Sequence, residues 1–176
     1  WSTRGPELTA LAERLAVSPE RPRQGFGIVA GTGTGKTSWL GALLAEVDPG
    51  ERIVLVEDSA ELVPAHPHVV RLEARPPNVE GAGAVTLRDL VRQSLRMRPD
   101  RIVVGEVRGA EVVDLLAALN TGHEGGAATV HANSAESVPA RLEALGLAAG
   151  MDRAAVQGLL AAGVDVVVHL DRDRSG

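Results

Sequence analysis

The chain has 176 residues with a formal net charge of −5; apolar residues make up 44% of it, aromatics 2%, and there is no cysteine. That length suits one domain whose core is built from Val, Leu, Ile and Ala, and the missing thiols exclude disulfides and thiolate metal sites. The acidic balance gives no general attraction for nucleic acid, and no apolar run approaches the length of a membrane span. The first residue is Trp1 rather than Met, which leads us to expect a piece of a longer protein.

In chain order, Glu7 to Val17 reads as a short amphipathic helix with Leu8, Leu11 and Leu15 on one stripe. Ser18 to Gly25, with two prolines, reads as a linker, which gives residues 1–24 as helix and linker and 25–176 as one domain. Phe26 to Ala30 is a short strand, followed by a Gly-rich turn and a helix from Lys36 to Val47 that Asp48, Pro49 and Gly50 stop. Strands are expected at Arg52 to Val56 and His68 to Glu73, then a loop from Arg75 to Ala84. Thr86 caps a helix running to Met97. Arg101 to Gly105 is a strand and Ala110 to Leu119 a helix; Ala127 to His131 is a strand, followed by a helix from Ala135 to Leu145 opened by Ser134. Ala154 to Ala162 is helical, and Val164 to Leu170 is a last strand, apolar on both faces. This alternation predicts an α/β fold with a mostly parallel sheet and helices on both faces, whose ligands bind beyond the carboxyl ends of the strands.

Ala30 to Thr37, AGTGTGKT, matches the phosphate-binding P-loop with Ala in place of the first Gly. Gly31, Thr32, Gly33, Thr34 and Gly35 let backbone N–H groups turn inward around phosphates, and the helix that follows offers its positive end, with Ser38 in its first turn. Lys36 is expected on the β- and γ-phosphates of ATP and the Thr37 hydroxyl on Mg²⁺. Lys36 is also the sole lysine beside 17 arginines, so one position keeps a compact ammonium where a phosphate needs one.

Glu106 follows a buried strand, expected beside the P-loop strand, where a carboxylate can orient the attacking water or touch Mg²⁺. Ile53 to Asp58 repeats the pattern, making Glu57 the rival catalytic group and a Mg²⁺ ligand, directly or through water, with Asp58 and Glu61 close by. His131 closes a strand and can be aimed at a γ-phosphate. With no cysteine or third histidine near, His123 and His131 do not form a metal site. Arg88, Arg92 and Arg96 share a helix stripe; they read either as a solvated face or as a charged edge meeting the nucleotide of a neighbouring subunit.

These boxes together resemble the secretion ATPases of the type II and type IV systems, most closely the tight-adherence (Flp) pilus branch. The matching segments are GTGTGKT, RIVLVEDSAEL, HVVRLEARPPNVEG, TLRDLVRQSLRMRPDRIVVGEVRGAEVVDLL and NTGHEGGAATVHANS, which lie between Gly27 and Arg141. The resemblance implies a RecA-like core, a homo-oligomer in the form of a hexamer, and ATP hydrolysis with Mg²⁺ that drives secretion or pilus assembly. It places the protein in the cytoplasm at the inner face of the membrane, beside platform proteins. It assigns Lys36 and Thr37 to the Walker A box, Glu57, Asp58 and Glu61 to an acidic box, Glu106 to an atypical Walker B box, and His123 and His131 to a histidine box. It also gives Arg96 a contact with the nucleotide. Trp39 stands where a smaller aliphatic is usual, and the family's N-terminal domain is not in the sequence. A RecA-like DNA-translocating ATPase is the alternative, though no specific nucleic acid is expected, and a nucleotide-regulated binding module is a third reading.

Overall fold

The computed structural model describes residues 26–30, 35–122 and 125–170, the first five as backbone alone. The expected N-terminal helix and linker, Gly31 to Thr34 and His123 lie outside the described residues.

Six strands form one sheet: β1 (Phe26–Ala30), β2 (Ile53–Glu57), β3 (Val69–Glu73), β4 (Arg101–Val104), β5 (Ala127–Val130) and β6 (Val166–Leu170). Their spatial order is β3-β2-β4-β5-β1-β6, and every neighbouring pair is parallel. Five helices connect them: α1 (Lys36–Ala45), α2 (Leu87–Ser94), α3 (Glu111–Leu119), α4 (Val138–Ala148) and α5 (Arg153–Gly163). The order corrects one expectation. The strand leading to Glu106 is not beside the P-loop strand, because β5 is inserted between β4 and β1. The residue that ends β5 therefore lies between the two.

Central strands of a parallel sheet are covered on both faces and so read as apolar runs. In β2 and β4 every residue is buried. Alternate positions feed different cores. Ile53, Leu55 and Val103 meet Leu40, Leu43, Leu44 and Trp39 of α1, so the large Trp39 fills the core behind the phosphate-loop helix. Val54, Val56, Ile102 and Val104 meet α2 and α3 on the opposite face. The last strand, β6, starts two residues later than Val164, lies at a sheet edge and is half-buried along its length.

Several boundaries shift for identifiable reasons. β2 runs one residue further than Val56, which brings Glu57 inside the strand end, where it is 5% exposed. The Thr86 cap is as expected: its hydroxyl accepts the Asp89 N–H while the Asp89 carboxylate accepts the Thr86 N–H. The α-helix then tightens into a 3-10 turn at Leu95–Met97, ending on Arg98 with φ 50° ahead of Pro99. The helix expected from Ala135 starts instead at Val138 with Ser137 as its cap and a proline in its first turn. Ser134 and Ser137 bond each other in a turn before it, the Ser137 hydroxyl donating to the Ser134 carbonyl.

On the helix face, Asp114 of α3 receives Arg88 Nε at 2.7 Å and Arg92 Nε at 2.8 Å from α2. Burial favours the neutral acid, but the two guanidiniums outweigh it and hold the Asp114 carboxyl below its ordinary range. Arg88 and Arg92 thus tie two helices together.

Helices α4 and α5 meet most tightly at Gly146, where an added Cβ would lie 2.6 Å from Val156 Cγ2. Val156 is fully buried and has no room to retreat. We expect Gly146→Ala to lower stability by about 1–3 kcal/mol, the usual cost of overpacking, read as a lower denaturant midpoint. An unchanged midpoint would mean that the two helices slide apart freely.

Candidate nucleotide site

The carboxyl ends of β1, β4 and β5 converge, and each delivers one charged or titratable side chain. Gly35, with φ 80°, turns the chain from the phosphate loop into α1. That left-handed conformation suits glycine. Lys36 is the first residue of α1 and Thr37 the second, so the hydroxyl sits in the turn where the helix dipole is positive.

Glu106 follows β4 on a loop that several bonds hold. Gly105 donates its N–H to the Val56 carbonyl at 2.8 Å, and the Thr129 hydroxyl donates to the Gly105 carbonyl. Val107 N–H donates to the Thr129 carbonyl at 2.7 Å. Glu111, 5% exposed at the start of α3, accepts the N–H groups of Arg108 and Gly109 at 2.6 and 2.8 Å. A Cβ at Gly105 would lie 2.8 Å from Glu57 Cγ, so β2 and β4 close on each other here only because that side chain is missing.

The result is a compact polar cluster. Lys36 Nζ lies 3.5 Å from Glu106 Oε2 and 2.8 Å from His131 Nε2. His131 Nε2 lies 3.1 Å from Glu106 Oε1. One ring nitrogen faces both an ammonium and a carboxylate, and it can accept from the first or donate to the second, one at a time. Arg108 closes the cluster with Nη2 at 2.8 Å from Glu106 Oε2 and Nη1 at 3.4 Å from Asp58 Oδ2. The hydrogen bond from Arg108 is the chief reason the Glu106 carboxyl lies below its ordinary range, with the charge of Lys36 adding to it. Burial pulls the Lys36 ammonium below its usual value, against the opposing pull of Glu106.

Of the residues expected at the site, Lys36, Glu106 and His131 are brought together. Thr37 and Ser38 occupy the helix start beside them, half-buried and exposed respectively. Glu57 is not part of this cluster. Its Oε1 accepts the N–H groups of Glu61 and Leu62 at 3.1 and 2.9 Å and folds the loop after β2 back on the strand end. Arg96 is exposed on the turn before β4. That turn is at the amino end of the sheet, since Arg52 before β2 donates to the Met97 carbonyl there. Roughly 15 Å of strand separates it from Glu106, so the structure does not bring Arg96 to the site of its own chain. Arg108 escaped the sequence reading. Its signal was the i, i+2 spacing from Glu106 just beyond a strand, which puts two side chains on one side of an extended segment.

Among the described residues no three acidic or histidine side chains gather as a metal site. A magnesium ion carried by a triphosphate needs only one or two protein oxygens, because phosphates and waters supply the rest. The Thr37 hydroxyl and the nearby carboxylates suit that donor set. Lys36 and the start of α1 offer positive charge of the kind phosphates take.

The family profile described as Type II/IV secretion system protein matches residues 10–173. A putative conjugal transfer protein of Mycobacterium tuberculosis is 62% identical over 97% of this chain and 51% of its own length. The conjugal transfer protein TrbB of Rhizobium radiobacter is 37% identical over 97% of this chain and 50% of its own. The chain thus spans about half the length of these curated relatives. Among solved structures, the VirB11 ATPase of the Brucella suis type IV secretion system superposes with a TM-score of 0.79 at 30% identity, covering 99% of this chain and 53% of that one. The pilus retraction motor PilT superposes with a TM-score of 0.71 at 24% identity over 90% of this chain and 44% of that one, which shows the shared fold alone. The fold is the RecA-like core of the secretion ATPases. None of these names carries the tight-adherence assignment. By the profile match and by its relatives, this chain belongs to the type II/IV secretion system protein family.

Proposed function

We propose that residues 25–176 are the nucleotide-hydrolysing core of a motor that powers secretion or pilus assembly, with 1–24 as a helix and linker leading into it. One observation carries this reading. The lone lysine, at the start of a helix that follows a strand, faces a carboxylate and a histidine delivered by two other strand ends. In this reading the phosphate loop and Lys36 hold the triphosphate, and Thr37 holds the accompanying Mg²⁺, which neutralises developing charge on the phosphates. Glu106 orients the attacking water toward the γ-phosphate, and His131, released from Lys36 when the phosphates take the ammonium, meets the same phosphate.

Family membership supports a homo-oligomer, a hexamer, working beside membrane platform proteins on the cytoplasmic side. No helix among the described residues is long and apolar enough to cross a membrane. The tight-adherence branch remains our preferred setting within the family, on the order of the sequence boxes.

Lys36→Ala in the full-length protein is expected to abolish nucleotide binding or turnover without unfolding the chain. Glu106→Gln should bind Mg·ATP about as tightly as the wild type and lose about 10²-fold or more in single-turnover rate, the scale of a misplaced reacting group. Wild-type turnover in Lys36→Ala would refute the site, and wild-type turnover in Glu106→Gln would take the water-orienting role from Glu106.

Glu57 is expected to behave differently. Glu57→Ala leaves two backbone N–H groups at a buried strand end without their acceptor, so it should cost about 1–3 kcal/mol of stability. Glu57→Gln keeps an acceptor and should hold stability while raising the Mg²⁺ concentration needed for turnover. If Glu57→Gln stops hydrolysis while Glu106→Gln stays within a few-fold of wild type, the two carboxylates exchange roles.

Arg96 can reach only a neighbour's nucleotide. Mixed oligomers test this: Lys36→Ala subunits combined with Arg96→Ala subunits should regain turnover that neither has alone, because some interfaces then hold one intact half of each. No gain on mixing would remove Arg96 from the shared site.

A further inference from the structure

We propose that Arg108 is a positioning residue for the Glu106 carboxylate, itself anchored by Asp58, and that the three side chains form a brace across the ends of β4 and β2. The proposal rests on the reading of Glu106 given above.

The geometry of the guanidinium is the starting point. Its Nη2 donates to Glu106 Oε2 at 2.8 Å, and its Nη1 lies within ion-pair range of Asp58 Oδ2 at 3.4 Å. The planar guanidinium presents two nitrogens to two carboxylates at once, one by a hydrogen bond and one by charge, which a lysine's single ammonium does less well. Asp58 is the first residue beyond β2, and Glu106 follows β4 by two positions, so the fork joins the ends of two hydrogen-bonded strands. By taking Oε2, Arg108 leaves Oε1 turned to His131 at 3.1 Å. It thereby fixes the carboxylate with one oxygen on Arg108 and the other toward the β5 end.

The backbone of Arg108 is fixed with unusual care for an exposed residue. Its N–H donates to the buried Glu111 carboxylate at 2.6 Å, and the next N–H donates to the same oxygen. The side chain itself is 61% exposed. An exposed ion pair contributes little to stability, so holding the fold is a poor account of why the fork stands there. Its effect falls on Glu106, whose side chain is only 15% exposed and whose charge it favours more than any other group does.

The brace also separates two functions that a single acidic box suggested. Glu57 turns inward to the loop amides, while its neighbour Asp58 turns outward to Arg108. Asp58 then acts on the site only through the arginine.

The test uses the full-length protein and steady-state hydrolysis with pH profiles. Arg108→Ala should lower kcat by about 10- to 100-fold with KM changed less than about three-fold, the pattern of a lost transition-state interaction. The acid limb of its kcat profile should move to higher pH, because Glu106 loses the group that most favours its charge. Arg108→Lys should restore part of kcat, since a single donor keeps the charge without the fork. Asp58→Asn should give a smaller loss of the same kind, and adding it to Arg108→Ala should cost nothing further. A fall in kcat with an unmoved acid limb would overturn the proposal in favour of a structural role, as would additive losses in the double variant. An Arg108→Ala enzyme within a few-fold of wild type would also overturn it, while an inactive Lys36→Ala control leaves the nucleotide-site reading standing. Turnover surviving in Lys36→Ala would instead remove that reading itself.

Discussion

The site depends on keeping the Glu106 carboxylate ionised in a cleft that shields most of it from water. Taking a carboxylate out of water favours its neutral form, so the charge has to be stabilised by neighbours. Lys36 and Arg108 do so at the same oxygen, one from the start of α1 and one from the carboxylate's own loop. Lys36 faces the mirror problem, since burial lowers its basicity and Glu106 raises it again. Each ion thereby keeps the other charged. The arrangement needs both strand ends at one level, and a parallel sheet supplies this because all its carboxyl ends lie on one edge.

The insertion of β5 between β1 and β4 shapes what can happen there. Had the two strands been neighbours, at the roughly 4.8 Å spacing of a sheet, lysine and glutamate would have met with nothing between them. Instead His131 stands at the intervening strand end, with one nitrogen shared between the two. In the proposed reading, a phosphate that draws the ammonium away frees that nitrogen for the carboxylate or for the phosphate. Thr129, two residues earlier and 1% exposed, ties β5 to the Gly105 carbonyl, so the strand that carries the histidine is bonded to the glutamate loop.

Much of this was legible in the sequence because the signals were local. The P-loop spacing, the capping Thr86, the apolar runs at Ile53 to Val56 and Ile102 to Val104, and a carboxylate after each run all follow from chain-neighbour chemistry. Strand order was not legible in that way. Nothing near Glu106 states that β5 will lie beside β4, because the choice is made by which helices cover which face. The same limit hid the division between Glu57 and Asp58, adjacent acids whose side chains leave opposite sides of the chain end. It also hid the fate of Arg88 and Arg92, which share a stripe with Arg96 but are claimed by Asp114 on another helix. The helix start at Val138 was misplaced for a local reason: Ser134 looks like a cap, but Ser137 takes the cap position and a proline sits just inside it.

The chemistry that remains for Glu106 follows from its surroundings. A general base works best when its basicity is close to the working pH, and Arg108 and Lys36 pull this carboxyl the other way. A strongly ionised carboxylate held by a fork is a weak proton acceptor and a good hydrogen-bond acceptor. It can fix the direction of a water's O–H, and so the direction of its lone pair, without taking the proton early in the step. Phosphoryl transfer with a loose transition state asks for that, since little bond to the nucleophile has formed when the barrier is crossed and orientation counts for more than base strength. An arginine that depresses basicity while fixing geometry is then no contradiction at this position. On the proposed reading it shifts Glu106 from proton acceptor toward water-orienting group.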